Sequence, residues 1–214
     1  MQLVLIRHGE SVANRQRILQ GHFDSPLNDA GRRQAESLAE ALSEDRFAMV
    51  YASDLLRAQE TARILCARLE MPLALDPDLR EIDIGCFSGL SWAEISERYP
   101  EEHQRLMAAS MDWSVVPGAE SEAAAQERLA RVMTRLYARH SGERVAIVAH
   151  GAILRRLIRK LLALDPGVQL DFEISNASCT EIHLTPKGPR LITLNRLPYA
   201  ATPARVGDAP RLLF

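Results

Sequence analysis

Cysteine is scarce in this chain. Cys66, Cys86 and Cys179 are the whole supply, far apart and without a C-x-x-C pair. Neither a disulfide framework nor a zinc ribbon is indicated. Lysine is scarcer still, at Lys160 and Lys187, so arginine carries almost all the positive charge. The 26 basic residues face 28 acidic ones for a net charge of −2. That balance lacks the basic excess by which a chain binds nucleic acid or an anionic membrane. Long apolar runs are missing too: Val145 to Ala149 is typical, far short of the ~20 residues that cross a bilayer. The opening residues, Met1 to Arg7, lack the cationic start and extended apolar stretch of a signal peptide. A reduced, cytoplasmic protein is expected. The chain holds no internal repeat and no low-complexity tract. What it does have is 214 residues, 47% of them hydrophobic, enough for one domain that buries roughly 70% of its unfolded surface.

Strand and helix patterns alternate. Leu3–Ile6 and Val145–Ala149 are short, continuous apolar runs of the kind buried on both faces of a parallel sheet. Met49–Ala52 is a weaker third strand. Thr180–Leu184 and Leu191–Leu194 read as later strands joined by a turn at Pro186-Lys187-Gly188-Pro189. Amphipathic helices are predicted over residues 29–44 (Asn28 or Asp29 as cap), 54–70, 121–139 (Ser121 as cap) and 152–163. The last shows Arg155, Arg156, Arg159 and Lys160 opposite a wide apolar face. This order predicts an α/β fold: a three-layer α/β/α sandwich with a mostly parallel central sheet. From Pro198 the chain is rich in Pro and Ala, and an irregular C-terminal tail is expected over 198–214.

The most informative feature is a near-duplication. Leu3-Val4-Leu5-Ile6-Arg7-His8-Gly9 and Val145-Ala146-Ile147-Val148-Ala149-His150-Gly151 are both buried strands that end in His-Gly. Open α/β sheets bind ligands beyond the carboxyl ends of their strands. Both imidazoles are therefore expected at the functional edge, with each glycine allowing close backbone approach to a ligand. One such histidine alone could be a capping group; two, one of them flanked by Arg7, argue for a site.

Arg57 follows the Met49–Ala52 strand and falls in the first turn of the next helix, where free N–H groups already attract anions. Its simplest alternative is a surface pair with Glu60. A metal site on His8, His150 and either Glu10 or His22 is the rival reading for the cluster. Two guanidiniums would repel a divalent cation but fit a phosphate dianion bidentately. No H-E-x-x-H or P-loop spacing supports a metal or nucleotide fold. The constellation reads as a phosphate pocket with no metal and no cofactor.

Across residues 2 to 195 the chain resembles the histidine phosphatase superfamily, in its phosphoglycerate-mutase-like branch. The resemblance rests on separated motifs in the family's order. They are Arg7-His8-Gly9-Glu10-Ser11 with Asn14; Leu27 with Gly31 and Gln34-Ala35; Ser53-x-Leu55-x-Arg57-Ala58-x-x-Thr61-Ala62; Leu79-x-Glu81; and Ala149-His150-Gly151. It implies that His8 is the nucleophile and becomes phosphorylated, with Glu81 giving a proton to the leaving oxygen. Arg7, Arg57 and His150 would clamp the phosphoryl oxygens, with Asn14 a further contact. Gln20-Gly21 would line the entrance, and Gly151 would border the bound group. The chemistry is consistent. A neutral imidazole attacks phosphorus without prior deprotonation of an alcohol, and its phosphoramidate divides one displacement into two easier ones. Fixed donors stabilise the equatorial oxygens. A partly buried glutamate near the phosphate can hold the raised pKa an acid needs. On residue type alone Asp78 and Asp83 compete for that role.

The family includes phosphatases and mutases. Glu81 is followed by Ile82-Asp83-Ile84-Gly85-Cys86-Phe87, a departure from the mutases' polar and basic residues there. Residues 86–121 hold two basic residues, Arg98 and Arg105, against six acidic ones. They also hold Trp92, Trp113, Phe87, Met107 and Met111. This segment reads as a helical lid insertion in a single domain of residues 1–197, with some of its apolar residues forming their own core. It is poor in the cationic groups that would retain a bisphosphoglycerate. The expected function is a metal-independent phosphomonoesterase acting on a small-molecule phosphate ester. A cofactor-dependent phosphoglycerate mutase is the alternative, and an inactive phosphate-binding scaffold the alternative from another class.

Overall fold

The structure, a computed structural model, describes residues 1–164 and 171–197. The two His-Gly runs lie at its centre as parallel neighbours, β1 (Gln2–Arg7) and β6 (Arg144–Ala149). Between them in sequence come α1 (Val12–Arg15), β2 (Ile18–Leu19), α2 (Asp29–Ala41), β3 (Met49–Ala52), α3 (Leu56–Leu69) and β4 (Leu73–Leu75). β5 (Leu90–Ser91), α4 (Trp92–Arg98), α5 (Pro100–Ala108) and α6 (Glu122–Arg139) follow. After β6 come α7 (Gly151–Leu161), β7 (Cys179–Thr185) and β8 (Gly188–Arg196). The main sheet has the order β4-β3-β6-β1-β7-β8. Its first four strands are mutually parallel, β7 runs antiparallel to β1, and β8 antiparallel to β7. The mostly parallel α/β sandwich is what the sequence predicts.

Alternation along the central strands explains the layers. Leu3, Leu5, Val145 and Ile147 face one way and pack on Leu129, Val132 and Leu136 of α6 and on Ile153, Leu154 and Leu157 of α7. Val4, Ile6, Ala146 and Val148 face the other way, toward Leu38 and Leu42 on the α2 side and Ala58, Ala62 and Leu65 of α3. Each fully buried Leu or Ile contributes about 1.5–3 kcal/mol, so truncating Leu154 to Ala would cost about 2–5 kcal/mol once the cavity is included. A third cluster, Ile84, Phe87, Ile95, Leu106 and Val116, gives α4 and α5 a core of their own. Trp92 and Trp113 stack beside it with ring centroids 6.4 Å apart.

Several boundaries differ from the sequence reading. The helix expected from residue 54 begins at Leu56, because the N–H of Leu56 is capped by Asp24 Oδ1 at 2.7 Å rather than by a neighbour in sequence. Asn28 and Ser121 cap α2 and α6 as expected. Only Pro186 and Lys187 turn between β7 and β8; Gly188 already opens β8. α1, β2, β4 and β5, each of two to four residues, are too short to show a period. The tail expected from residue 198 lies outside the described residues. No helix among the described residues is long and apolar enough to cross a membrane.

Candidate active site

Sheet register brings the two histidines together. Arg7 pairs with Ala149 across β1 and β6, so the next residues, His8 and His150, leave the sheet side by side with ring centroids 5.1 Å apart. β3 is in register on the other side of β6, Ala52 opposite Val148, which places Ser53 next to His150. The two rings are buried, His8 to 3% exposure and His150 to 0%. Burial, reinforced by the positive charge of Arg57, holds both imidazoles well below the usual histidine range. Both are therefore neutral near pH 7.

Their tautomers follow from their partners. His8 Nδ1 lies 2.7 Å from the carbonyl oxygen of Gly9. A carbonyl only accepts, so Nδ1 carries the hydrogen and the lone pair is on Nε2. His150 is the reverse: Arg57 Nε donates to its Nδ1 at 3.1 Å, and its Nε2 donates to Ser53 Oγ at 2.8 Å. Neither nitrogen of His150 can donate to a ligand without giving up a bond.

Arg57 is not the surface partner of Glu60. It is 1% exposed, and besides His150 it donates to the carbonyls of Phe23 at 3.1 Å and Gly21 at 2.8 Å. Glu60 instead accepts from Leu27 N and pairs with Arg32. Burial lowers the Arg57 pKa to about 10, which leaves it charged near neutrality. Arg7 donates through Nη1 to Ile174 O at 2.6 Å, while its buried Nε has no hydrogen-bond partner. Its pKa too is lowered, chiefly by burial.

Glu81 reaches the same edge from the loop after β4. It supplies the cap that α7 lacks locally, since His150 makes no side-chain cap bond. Glu81 Oε2 accepts from Ala152 N at 3.0 Å, and Oε1 from Ile153 N at 2.9 Å and from Ile82 N at 3.0 Å. The competing carboxylates are committed elsewhere. Asp78 pairs with Arg131 and Arg135, and Asp83 with the Gly85 N–H and His22.

Asn14 Oδ1 accepts from Ser11, and Gln20 Oε1 contacts Ser11 Oγ at 2.9 Å, so both stand beside the His8 loop through Ser11. The glycines also serve contacts within the protein. A Cβ on Gly9 would meet Gly31 O at 2.5 Å, and one on Gly151 would lie 3.5 Å from the Arg7 guanidinium. Gly9 admits α2, and Gly151 borders Arg7. Gly21, unlike Gly9 and Gly151, lies in the left-handed region, at φ +49°, where its carbonyl receives Arg57. Among the described residues no group of three His, Cys, Asp or Glu could hold a metal ion.

Sequence reasoning gave no role to four supports, of which Ser53, Thr61 and Arg128 are buried and Asn176 is partly buried. They are Ser53 on His150; Thr61, which accepts from Gly9 N and donates to Arg57 O; Asn176, which donates to His8 O; and Arg128. Arg128 left a signal, because it is a charge on the apolar stripe Ala125, Leu129, Val132, Leu136.

The parallel sheet's edge of this α/β protein thus gathers neutral paired imidazoles, flanking guanidiniums and a carboxylate. Comparison with known proteins narrows the class. The profile of the histidine phosphatase superfamily (branch 1) matches residues 3–197, and the chain belongs to that family. It is 39% identical over 161 residues to phosphoglycerate mutase-like protein 4 of Arabidopsis thaliana, covering 74% of this chain and 70% of that one. It is 34% identical over 185 residues to the metal-independent phosphoserine phosphatase of Arabidopsis thaliana, covering 86% and 76%. The α-ribazole phosphatase of Shigella flexneri superimposes with a TM-score of 0.84 at 28% identity, over 92% of this chain and 97% of that one.

Proposed function

We propose that the chain is a metal-independent phosphomonoesterase that acts on small phosphorylated metabolites through a phosphohistidine at His8. The phosphoric monoester hydrolase class is supported by the phosphatases among its relatives. The observation that carries the mechanism is the His8 ring, buried, neutral and tautomerically fixed by Gly9 O so that Nε2 holds the lone pair. Nε2 attacks phosphorus in line, the bond from phosphorus to the ester oxygen breaks, and a proton from Glu81 converts the leaving alkoxide to an alcohol. Oε2 of Glu81 is tied by one N–H and Oε1 by two, so Oε2 is the oxygen that carries the proton. In the second half Glu81 takes a proton from water. The water oxygen bonds to phosphorus, and the electron pair of the P–N bond returns to Nε2. Arg7 and Arg57 stabilise the equatorial oxygens, and the unpartnered Arg7 Nε–H gains an acceptor there. His150 keeps Arg57 in place and contacts the phosphoryl group by exchanging its bond to Ser53. Asn14, Gln20 and Gly21 border the entrance, and the 86–121 segment covers the leaving group.

A mutase reading is favoured by the mutase-named relatives, among them the one at 39% identity. The residues after Glu81 argue against it: Ile82, Ile84 and Phe87 are 2%, 6% and 0% exposed and fill the core instead of holding a substrate carboxylate. The test is one preparation assayed with EDTA present, for phosphate release from a panel of monoesters and for interconversion of 3- and 2-phosphoglycerate. Phosphate release at full rate, with trace isomerisation that 2,3-bisphosphoglycerate does not stimulate, is expected. Faster isomerisation activated by the bisphosphate, or loss of activity in EDTA, would overturn it.

A further inference from the structure

We propose that Arg128 is a positioning residue for the proton donor, one that fixes the backbone of the Glu81 loop from beneath without touching substrate. The inference rests on the reading of Glu81 as the acid. Arg128 projects from α6 into a nearly dry environment, 7% exposed, and a guanidinium has five N–H donors. All are used. Nη1 donates to Asp78 O at 2.8 Å and to Arg80 O at 2.7 Å. Nη2 donates to Glu81 O at 3.0 Å and Glu120 Oε2 at 2.7 Å, and Nε donates to Glu120 Oε1 at 2.6 Å.

Three carbonyls within four residues thus converge on one planar cation, and Glu120 neutralises it with both carboxylate oxygens. The same loop is pinned at two further points. Glu120 N donates to Asp83 O at 2.9 Å, and His22 Nε2 bonds Glu81 O at 2.9 Å. With its backbone clamped on the α6 side, the Glu81 side chain extends to the start of α7, beside His150. A fold needs a loop here, but it does not need a buried, fully saturated arginine on an otherwise apolar helix stripe. The arrangement suits a carboxyl group whose location must be kept within a fraction of an ångström, since about 1 Å of misplacement costs on the order of 100-fold in rate. Lysine cannot replace it: an ammonium offers three donors from one point and cannot span Glu120 and three carbonyls.

The decisive readout is selectivity for the leaving group. An alkoxide needs a proton to depart, whereas p-nitrophenolate leaves with little help, and kcat/KM reports the phosphorylation step in which that proton moves. Arg128→Lys, Glu120→Gln and Glu81→Gln are each to be assayed on an alkyl phosphate and on p-nitrophenyl phosphate, with folding checked by thermal melting. Arg128→Lys is expected to lose about tenfold or more in kcat/KM on the alkyl ester and less than about threefold on the aryl ester. Glu120→Gln, the milder change, is expected to show the same selectivity at smaller amplitude and keeps the test open if Arg128→Lys does not fold. Selective loss in Glu81→Gln but equal or no loss in the Arg128 and Glu120 variants would overturn the positioning role and leave the acid in place. Equal loss on both esters in Glu81→Gln would overturn the acid, and this proposal with it.

Discussion

His8 and His150 are kept neutral by burial and by Arg57, and that ties the stability of the fold to pH. In the unfolded chain each histidine takes up a proton near pH about 6.5, while in the folded chain it does not. The unfolded state therefore binds more protons as pH falls, so the contribution is complete above about pH 6.5 and is lost below it. Each histidine removes about 1.4 kcal/mol per pH unit in that window. Urea midpoints measured at about pH 7.5 and about pH 5.5 are expected to fall more for the wild type than for His8→Gln/His150→Gln. Equal losses would contradict neutral burial. Ser53 is a second case at this scale. Replacing it with Ala leaves the His150 Nε2–H buried without its acceptor, which costs about 1–3 kcal/mol. Thermal melting measures that loss, and an unchanged midpoint would show that the bond is dispensable.

At the scale of elements, α2 sets the shape of the loop that carries His8. A Cβ on Gly31 would meet Glu10 O at 2.0 Å and Glu10 N at 2.7 Å, both backbone atoms that cannot swing away. Glu10 N also donates to Gln34 Oε1 on the same helix. Gly31→Ala is expected to destabilise by about 1–3 kcal/mol, the usual range for overpacking, and to lower kcat/KM by shifting the loop that holds His8. A variant with reduced stability but wild-type kcat/KM would separate α2 from the site. The motif Leu27, Gly31, Gln34 was legible in the sequence, but its reason was not, because close helix-to-loop contact has no periodicity. Strands β1 and β6 and helices α2, α3, α6 and α7 were legible because each carries a continuous run or a full stripe. β4, with its three residues Leu73–Leu75, was not, since its place is fixed by pairing with β3. His8, Arg57 and His150 were singled out because they follow strands, and the structure brings them together. Arg128 was passed over because a charged residue in a helix reads as a solvated face unless its position within the stripe is weighed.

Across the whole molecule, one sheet edge collects residues from five separate segments: Arg7 and His8 at the end of β1, Ser53 after β3, Arg57 in α3, Glu81 after β4, and His150 after β6. The parallel order β4-β3-β6-β1 makes this possible, because it turns four strand ends toward the same side. The central claim, that this edge transfers a phosphoryl group through His8, is tested most directly by trapping the intermediate. The measurement is rapid acid-free quench of the enzyme with a labelled monoester, followed by peptide mapping. The account predicts base-stable, acid-labile label on the peptide containing His8, formed at least as fast as turnover and absent in His8→Ala. Label on another residue, or label that persists in His8→Ala, would contradict it.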